Sequence, residues 1–180
     1  MLSPPHHRWR LLGFYSTTPE FSHHIMSIGV ETARKFINCF STLDGEQMTR
    51  LKTPLCQHHF APESLGVASP RGVEEFSSHL SSLRDVLQGF PVHIKELWES
   101  EKSVTIWATS ETNFHEAAMD HSLSSEDWIF KGEYIFILEL SDDGSQVSRV
   151  VEFLDSKKTE ELRVLFKRAR KNLGLGEKHI

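Results

Sequence analysis

Glu152, His58 and His59 are the residues whose type and setting suit proton-transfer chemistry in this sequence. Taking an acidic C–H proton requires a base, and the enolate that follows requires an acid or a hydrogen-bond donor, with water kept out. Carboxylates and imidazoles in a dry pocket supply both. Glu152 lies in the run Arg149-Val150-Val151-Glu152-Phe153-Leu154, where strand spacing places it on one face with Val150 and Leu154. Burial on that face would raise its pKa toward a value useful for a base. Val151 and Phe153 make the opposite face just as apolar, so an outward-facing or salt-bridged carboxylate is the alternative. His58 and His59 are adjacent in Leu55-Cys56-Gln57-His58-His59-Phe60, and in an extended piece one of two neighbours faces each way. Imidazole suits proton transfer near neutral pH. A structural histidine bonded to a backbone carbonyl is the competing role.

Trp107, Glu111 and His115 share one strand face by two-residue spacing, and Val104, Ile106, Ala108 and Phe114 share the other. Either face can line a cavity. The candidate substrate-contacting residues are Trp107, Glu111, Tyr134, Phe76 and Phe40, with Trp98 and Trp128 as further walls. Adjacent histidines are a poor chelating pair, and a predicted loop separates His115 from His121, so no metal site is expected. The chain contains no GxSxG, no glycine-rich phosphate loop and no dinucleotide fingerprint. Hydrolase-triad, kinase and redox-cofactor readings therefore lack support, and no cofactor is expected.

These side chains must be carried by regular elements. Ala33, Phe36, Ile37 and Phe40 recur at helical spacing and predict a helix over 29–41. Asp44 and Gln47 form a capping-box pattern that opens a short helix through Leu51, which Pro54 stops. Residues 55–60 then read as a short extended piece. Ser69-Pro70 reads as an N-cap followed by a first-turn proline, opening a third helix with the stripe Val73, Phe76, Leu80, Leu83 and Leu87, ended by Gly89. From Phe90 the pattern predicts strands over 91–99, 103–116, 128–140 and 146–154. Turns are expected at Glu101-Lys102 and Asp142-Asp143-Gly144, and a loop over 117–127. Asp155 caps a closing helix bearing Leu162, Leu165, Phe166, Ala169 and Leu173, ended by Gly174. Its Lys167, Arg168, Arg170 and Lys171 read as a solvated face near the helix C-terminus. Helices followed by consecutive antiparallel strands indicate an α+β layer fold. Tyr134, Phe136, Leu138 and Leu140 form one greasy face of the third long strand, while Ile135 and Ile137 on the other call for a second cover, most simply another subunit.

A chain of 180 residues, 38% hydrophobic and 10% aromatic, buries one core, and the expected division is a tail over 1–28, a domain over 29–174 and a tail over 175–180. The first segment carries Arg8 and Arg10 and one acidic residue, Glu20; an organelle-targeting peptide and an extension upstream of a start at Met26 are both open. A net charge of −5 with eleven neutral histidines offers no global basic field, so neither nucleic acid nor an anionic membrane is an expected partner. No apolar run reaches the roughly 18 residues needed to span a bilayer. Cys39 and Cys56 lack any disulfide-scaffold spacing, which fits a reducing compartment and a cytoplasmic protein.

The element order, together with Phe36-Ile37-Asn38-Cys39-Phe40-Ser41-Thr42-Leu43-Asp44, Cys56-Gln57-His58-His59-Phe60 and Arg149-Val150-Val151-Glu152-Phe153-Leu154-Asp155-Ser156, resembles the nuclear transport factor 2-like superfamily, and more narrowly its SnoaL-like branch of the fungal biosynthetic type. The resemblance covers about 30–173. It implies helices closing one side of a cone-shaped, curved antiparallel sheet around a cavity for polyketide, terpenoid or steroid-like molecules. It also implies that Glu152 occupies the place where a late polar residue of this branch faces the cavity. The function expected is a cofactor-independent enzyme of polyketide or terpenoid metabolism, a cyclase, isomerase or dehydratase (lyase), working as a homodimer on a small molecule. The alternative is a non-catalytic ligand-binding or dimerisation module of the same fold.

Overall fold

Ser27 and Asp44 start the first two helices, Asp44 as its capping-box pattern predicts. Ser27 Oγ accepts from the Val30 amide and Asp44 Oδ1 from that of Gln47, each satisfying an otherwise orphaned donor. The structure, a computed structural model, describes residues 26–67 and 69–176, so the tail expected over 1–28 and residues 177–180 lie largely outside it. Helix α1 (Ile28–Thr42) buries Ala33, Phe36, Ile37 and Phe40, and α2 is Gly45–Arg50. They are followed by β1 (Lys52–Ala61), α3 (Val73–Ser82), β2 (Leu87–Gly89), β3 (Val92–Ser100), β4 (Ser103–Glu111), β5 (Asn113–Phe114), β6 (Lys131–Leu140), β7 (Val147–Leu154) and α4 (Ser156–Asn172).

The main sheet runs β1-β7-β6-β4-β3, antiparallel except that β1 joins β7 in parallel. The α+β architecture expected from the sequence is present, with a mixed sheet of five strands that does not close into a barrel. The difference lies in β1. Pro54 does not end a helix and leave a short extended piece; it sits within a ten-residue strand, exposed, where the register slips between Lys52 and Gln57. An edge strand tolerates proline at such a bulge because the ladder is already broken there.

Three more expectations are corrected. Ser69-Pro70 is not the start of α3, whose N-cap is Gly72. Residues 69–71 are recruited by β1 instead: Ser69 Oγ accepts from the Phe60 amide, and Arg71 and His58 exchange both backbone hydrogen bonds at 2.9 Å. Nor does α3 continue to Gly89. It ends at Ser82, a single 3-10 turn follows, and Leu87–Gly89 pairs with β5 as a small second sheet, so the apolar stripe outlasts the helix. The predicted strand over 103–116 is likewise split, at Thr112, into β4 and β5.

Inside and outside alternate on the central strands. Val104, Ile106 and Ala108 of β4 and Tyr134, Phe136 and Leu138 of β6 are buried against the helices. The hairpin turn at 142–144 forms as expected, with Gly144 at φ +72°, a left-handed conformation that glycine adopts without a Cβ penalty. Helix α4, capped by Asp155, follows β7 and buries Phe166 and Ala169. Arg168, read from sequence as part of a solvated basic face, holds Asp120 with two hydrogen bonds of 2.6 and 2.8 Å, tying α4 to the loop between β5 and β6. Among the described residues no helix is long and apolar enough to cross a membrane.

Candidate functional site

The inward faces of β1 and β7 bring three ionisable side chains together. On β1, Lys52 and His58 are separated by an even number of residues, so both point to the core despite the bulge, and they are 3% and 0% exposed. On β7, Glu152 faces inward between Phe60 of β1 and Phe136 of β6, its register partners, and is 5% exposed. His58 Nε2 lies 2.8 Å from Glu152 Oε2, and Lys52 Nζ lies 3.4 Å from His58 Nδ1. The result is a buried line of ammonium, imidazole and carboxyl.

Aromatic rings enclose this line. The His58 ring stacks on Phe76 at 3.9 Å, with Phe60 at 4.9 Å and Phe36 at 6.3 Å. Lys52 Nζ sits 3.9 Å above the same Phe76 ring, where the electron-rich face partly replaces lost water. Burial dominates the protonation equilibria. It pushes Glu152 up to about 8, against the opposing pull of the Lys52 and Arg71 cations. It brings Lys52 down to about 8, with the Glu152 carboxylate among the groups resisting the change. It holds His58 well below its usual value, helped by Lys52 and Arg71, so the ring is neutral. A neutral imidazole has one donor and one acceptor. Charged Lys52 can only donate, which leaves Nδ1 as acceptor and Nε2–H as the donor to Glu152.

Beyond Glu152 opens a cavity of about 110 Å³, comparable to cavities that take up a benzene ring. Phe40, Phe60, Phe76, Phe90, Tyr134 and Phe166 give it apolar walls; Glu152, Arg71, His79, Thr159 and Arg163 supply its polar groups. The Tyr134 hydroxyl accepts a hydrogen bond from Ser110 Oγ at 3.1 Å, so its own proton is available for another acceptor. Burial raises the pKa of this phenol, so it stays protonated. Gly132 makes room for it: a Cβ there would come within 2.4 Å of the hydroxyl.

Of the residues singled out from sequence, Glu152, Tyr134, Phe76 and Phe40 line this cavity, and His58 lies behind Glu152. His59 occupies the other face of β1, half-buried and paired in register with Val151. Trp107 and Glu111 are on the outer face of β4, away from the cavity, because the inward positions of that strand fall at Val104, Ile106 and Ala108. There Trp107 donates to Glu133 at 2.6 Å beneath the Lys95 ammonium, and Glu111 pairs with Lys131 at 3.2 Å. Trp98 is 49% exposed, and Trp128 is packed against Phe114 outside the cavity lining. His115 bonds the Arg84 carbonyl at 2.9 Å. Lys52 and Arg71 were not anticipated. Among the described residues no cluster of three or more His, Cys, Asp or Glu side chains is arranged to hold a metal ion.

Known proteins share this fold. No family model matches the chain. Austinoid biosynthesis cluster protein H of Aspergillus calidoustus is 28% identical over 127 residues, covering 71% of this chain and 82% of the relative. Monooxygenase dmxR10 of Cryptosporiopsis sp. (strain 8999) is 32% identical over 129 residues, 69% of this chain and 78% of the relative. The solved structure of PrhC from Penicillium brasilianum NBRC 6234 superposes with a TM-score of 0.66 at 19% identity, covering 81% of this chain and 93% of that one. A putative SnoaL-like polyketide cyclase from Jannaschia sp. CCS1 does so at 0.56 and 13%, covering 74% and 89%.

Proposed function

Because the chain belongs to the SnoaL-like branch of the nuclear transport factor 2-like superfamily, of the fungal biosynthetic type, we propose that it is a cofactor-independent enzyme of polyketide or terpenoid metabolism in which Glu152 is the general acid–base group. The observation that carries this reading is the position of Glu152: a carboxyl with its pKa near 8, set in a largely apolar cavity wall and held by a neutral histidine. Relatives that act in austinoid biosynthesis clusters support the metabolic setting.

The chemistry follows from the side chains. An enolisable ketone enters the cavity with its α-carbon toward Glu152. The carboxylate takes the α-proton, the C–H electron pair moves into the carbonyl, and the resulting enolate oxygen receives a hydrogen bond from the Tyr134 hydroxyl. Proton return to a different carbon isomerises the substrate. Loss of a β-hydroxyl group, which leaves as water with the proton that Glu152 took up, dehydrates it, and attack of the enolate on a second carbonyl, whose oxygen then takes that proton, closes a ring. His58 donates from Nε2 to Oε2 of Glu152, fixing the carboxyl's orientation. His58 is thus a positioning residue, and His59, on the other strand face, takes no part.

A base with its pKa near 8 is ionised in roughly a tenth of molecules at pH 7. Turnover is therefore expected to climb with a one-proton dependence from pH 6 and level off above about 8. Deuterium incorporation from D2O into enolisable polyketide-like ketones across pH 6–9 checks this. A flat profile removes Glu152 from the base role.

Homodimerisation is the second part of the proposal. On the outer sheet face Ile137 is 40% exposed, and Phe153, which pairs across β6 and β7 with Ile135, is 50% exposed. Another copy covering this face would remove that surface from water. Light scattering is expected to give twice the monomer mass at micromolar concentration, and Ile137→Lys to return the monomer; a wild-type monomer contradicts it.

A further inference from the structure

We propose that the cavity is built for a substrate bearing an acidic oxygen, a carboxylate or an enolate, and that Arg71 is the residue that receives it. The inference rests on the reading of this cavity as the reactive one and names what enters it.

Arg71 is 9% exposed, lines the cavity, and has its Nε buried without any hydrogen-bond acceptor. The nearest carboxylate oxygen, Oε1 of Glu75, is 3.7 Å away on a side chain that is 62% exposed, too far for a hydrogen bond and well solvated. Buried guanidinium donors are normally satisfied, because an unmade bond to a charged group is costly. The side chain is not simply astray, since its backbone is pinned to His58 by two hydrogen bonds and its guanidinium packs 5.2 Å from the Phe60 ring.

The charge inventory of the cavity points the same way. Glu152 is the single carboxylate among the described lining residues, whereas Arg71 and Arg163 both line it and Lys52 lies just behind. Glu152 is engaged with His58, and Arg163 is engaged with Glu160 and the Leu65 carbonyl at 2.9 Å. Among the described residues, Arg71 is the cavity cation with a buried donor that lacks an acceptor. A planar carboxylate or an enolate oxygen fits it, because guanidinium donors are arranged to meet such groups and remain charged across the working pH range. The same placement serves the proposed chemistry: as the α-proton passes to Glu152, negative charge leaves the carboxylate and appears on the substrate oxygen that Tyr134 bonds, and the Arg71 cation in the same cavity lining offsets it.

The test is binding, separable from turnover. Dissociation constants of the full chain are measured by saturation-transfer NMR at pH 8 for benzoate against benzamide, and for 4-nitrophenolate against 4-nitroanisole. The first pair reads a carboxylate and the second an enolate-like oxygen. At least one ionised probe is expected to bind ten times more tightly than its neutral twin. Arg71→Gln should reduce that preference below twofold, Arg71→Lys should keep part of it, and Glu152→Gln should keep it entirely. In the wild-type protein the ¹⁵Nε resonance of Arg71 should move with the preferred ionised probe, a readout that does not depend on any variant folding. Absence of preference in both pairs, a preference that survives Arg71→Gln, or an Nε resonance indifferent to the probes overturns the proposal. If instead the preference holds while Glu152→Gln retains full turnover, the anion site stands and the assignment of Glu152 as base falls.

Discussion

Glu152→Gln is expected to lower turnover at least a hundredfold while the protein stays folded. A positioned acid or base contributes on the order of 10² to 10⁴ in rate, and an amide cannot take up a proton at neutral pH. The substitution is close to isosteric, and the amide oxygen can still accept from His58 Nε2, so the ring keeps its place. Stability should not suffer, because Glu152 near pH 7 is mostly the neutral acid, and a neutral amide replaces it without stranding a new charge. Lys52, lowered to about 8 by burial, therefore faces a mostly neutral side chain at this position before and after the substitution. Steady-state kinetics together with a thermal melt decide the matter. Loss of rate with an unchanged melt locates the defect in chemistry, whereas undiminished kcat/KM sinks the assignment. Glu152→Asp sharpens the result: it keeps the charge but retracts the carboxyl by one methylene, so a loss intermediate between wild type and Gln is expected from misplacement alone.

How much of this site the sequence disclosed depends on whether a residue's partners are local. Glu152 was readable because Val150 and Leu154 share its face at two-residue spacing, and the choice between its two equally apolar faces was settled only by the helices that cover one of them. The pair His58-His59 announced that one imidazole would face inward, but not which. Lys52 was missed because Pro54 looked like a barrier between the helix and a strand beginning at Leu55; extending that strand by three residues puts Lys52 in phase with His58. Arg71 left no local signal at all. It reaches the cavity through a two-bond bridge to a strand thirteen positions earlier, and Ser69-Pro70 gave a persuasive helix start that a tertiary hydrogen bond overrode. Trp107 and Glu111 drew attention by residue type, yet strand β4 turns its small and branched residues inward, and the face was undetermined until the fold chose it.

The buried line also gives stability an unusual dependence on pH. Glu152 sits near 8 in the folded chain against an ordinary 4.5, so between those values the folded state keeps a proton that the unfolded chain has released. Stability therefore falls as pH rises through this window. His58 works in the opposite sense lower down. Held well below 6.5, it refuses a proton that the unfolded chain accepts, so below that pH stability falls on acidification and offsets the gain from Glu152. From 6.5 to 8 the Glu152 contribution outweighs the other two, which oppose it: the unfolded chain still holds part of the His58 proton near 6.5, and folded Lys52 begins to shed its own near 8. One proton is worth about 1.4 kcal/mol per pH unit, so Glu152 by itself costs on the order of 2 kcal/mol across that interval and the net loss expected is on the order of 1 kcal/mol. Lys52, lowered from 10.5 to about 8, then reverses the slope, because above 8 it is the unfolded chain that holds the extra proton. The recovery is brief: the buried thiols of Cys39 and Cys56 are raised above 9.0 and stay protonated after the unfolded chain has lost those protons, so stability declines again in the alkaline range. Urea denaturation at half-unit steps from pH 5.5 to 9.5 should show a dip near 8, where many domains are still close to their optimum. Glu152→Gln should gain on the wild type by about 2 kcal/mol between pH 6.5 and 8. Lys52→Met should keep the fall and lose the recovery. A wild-type curve that parallels Glu152→Gln through that interval would mean the carboxyl is ionised at pH 6.5, and with it the shifted acid on which the catalytic reading depends would be gone.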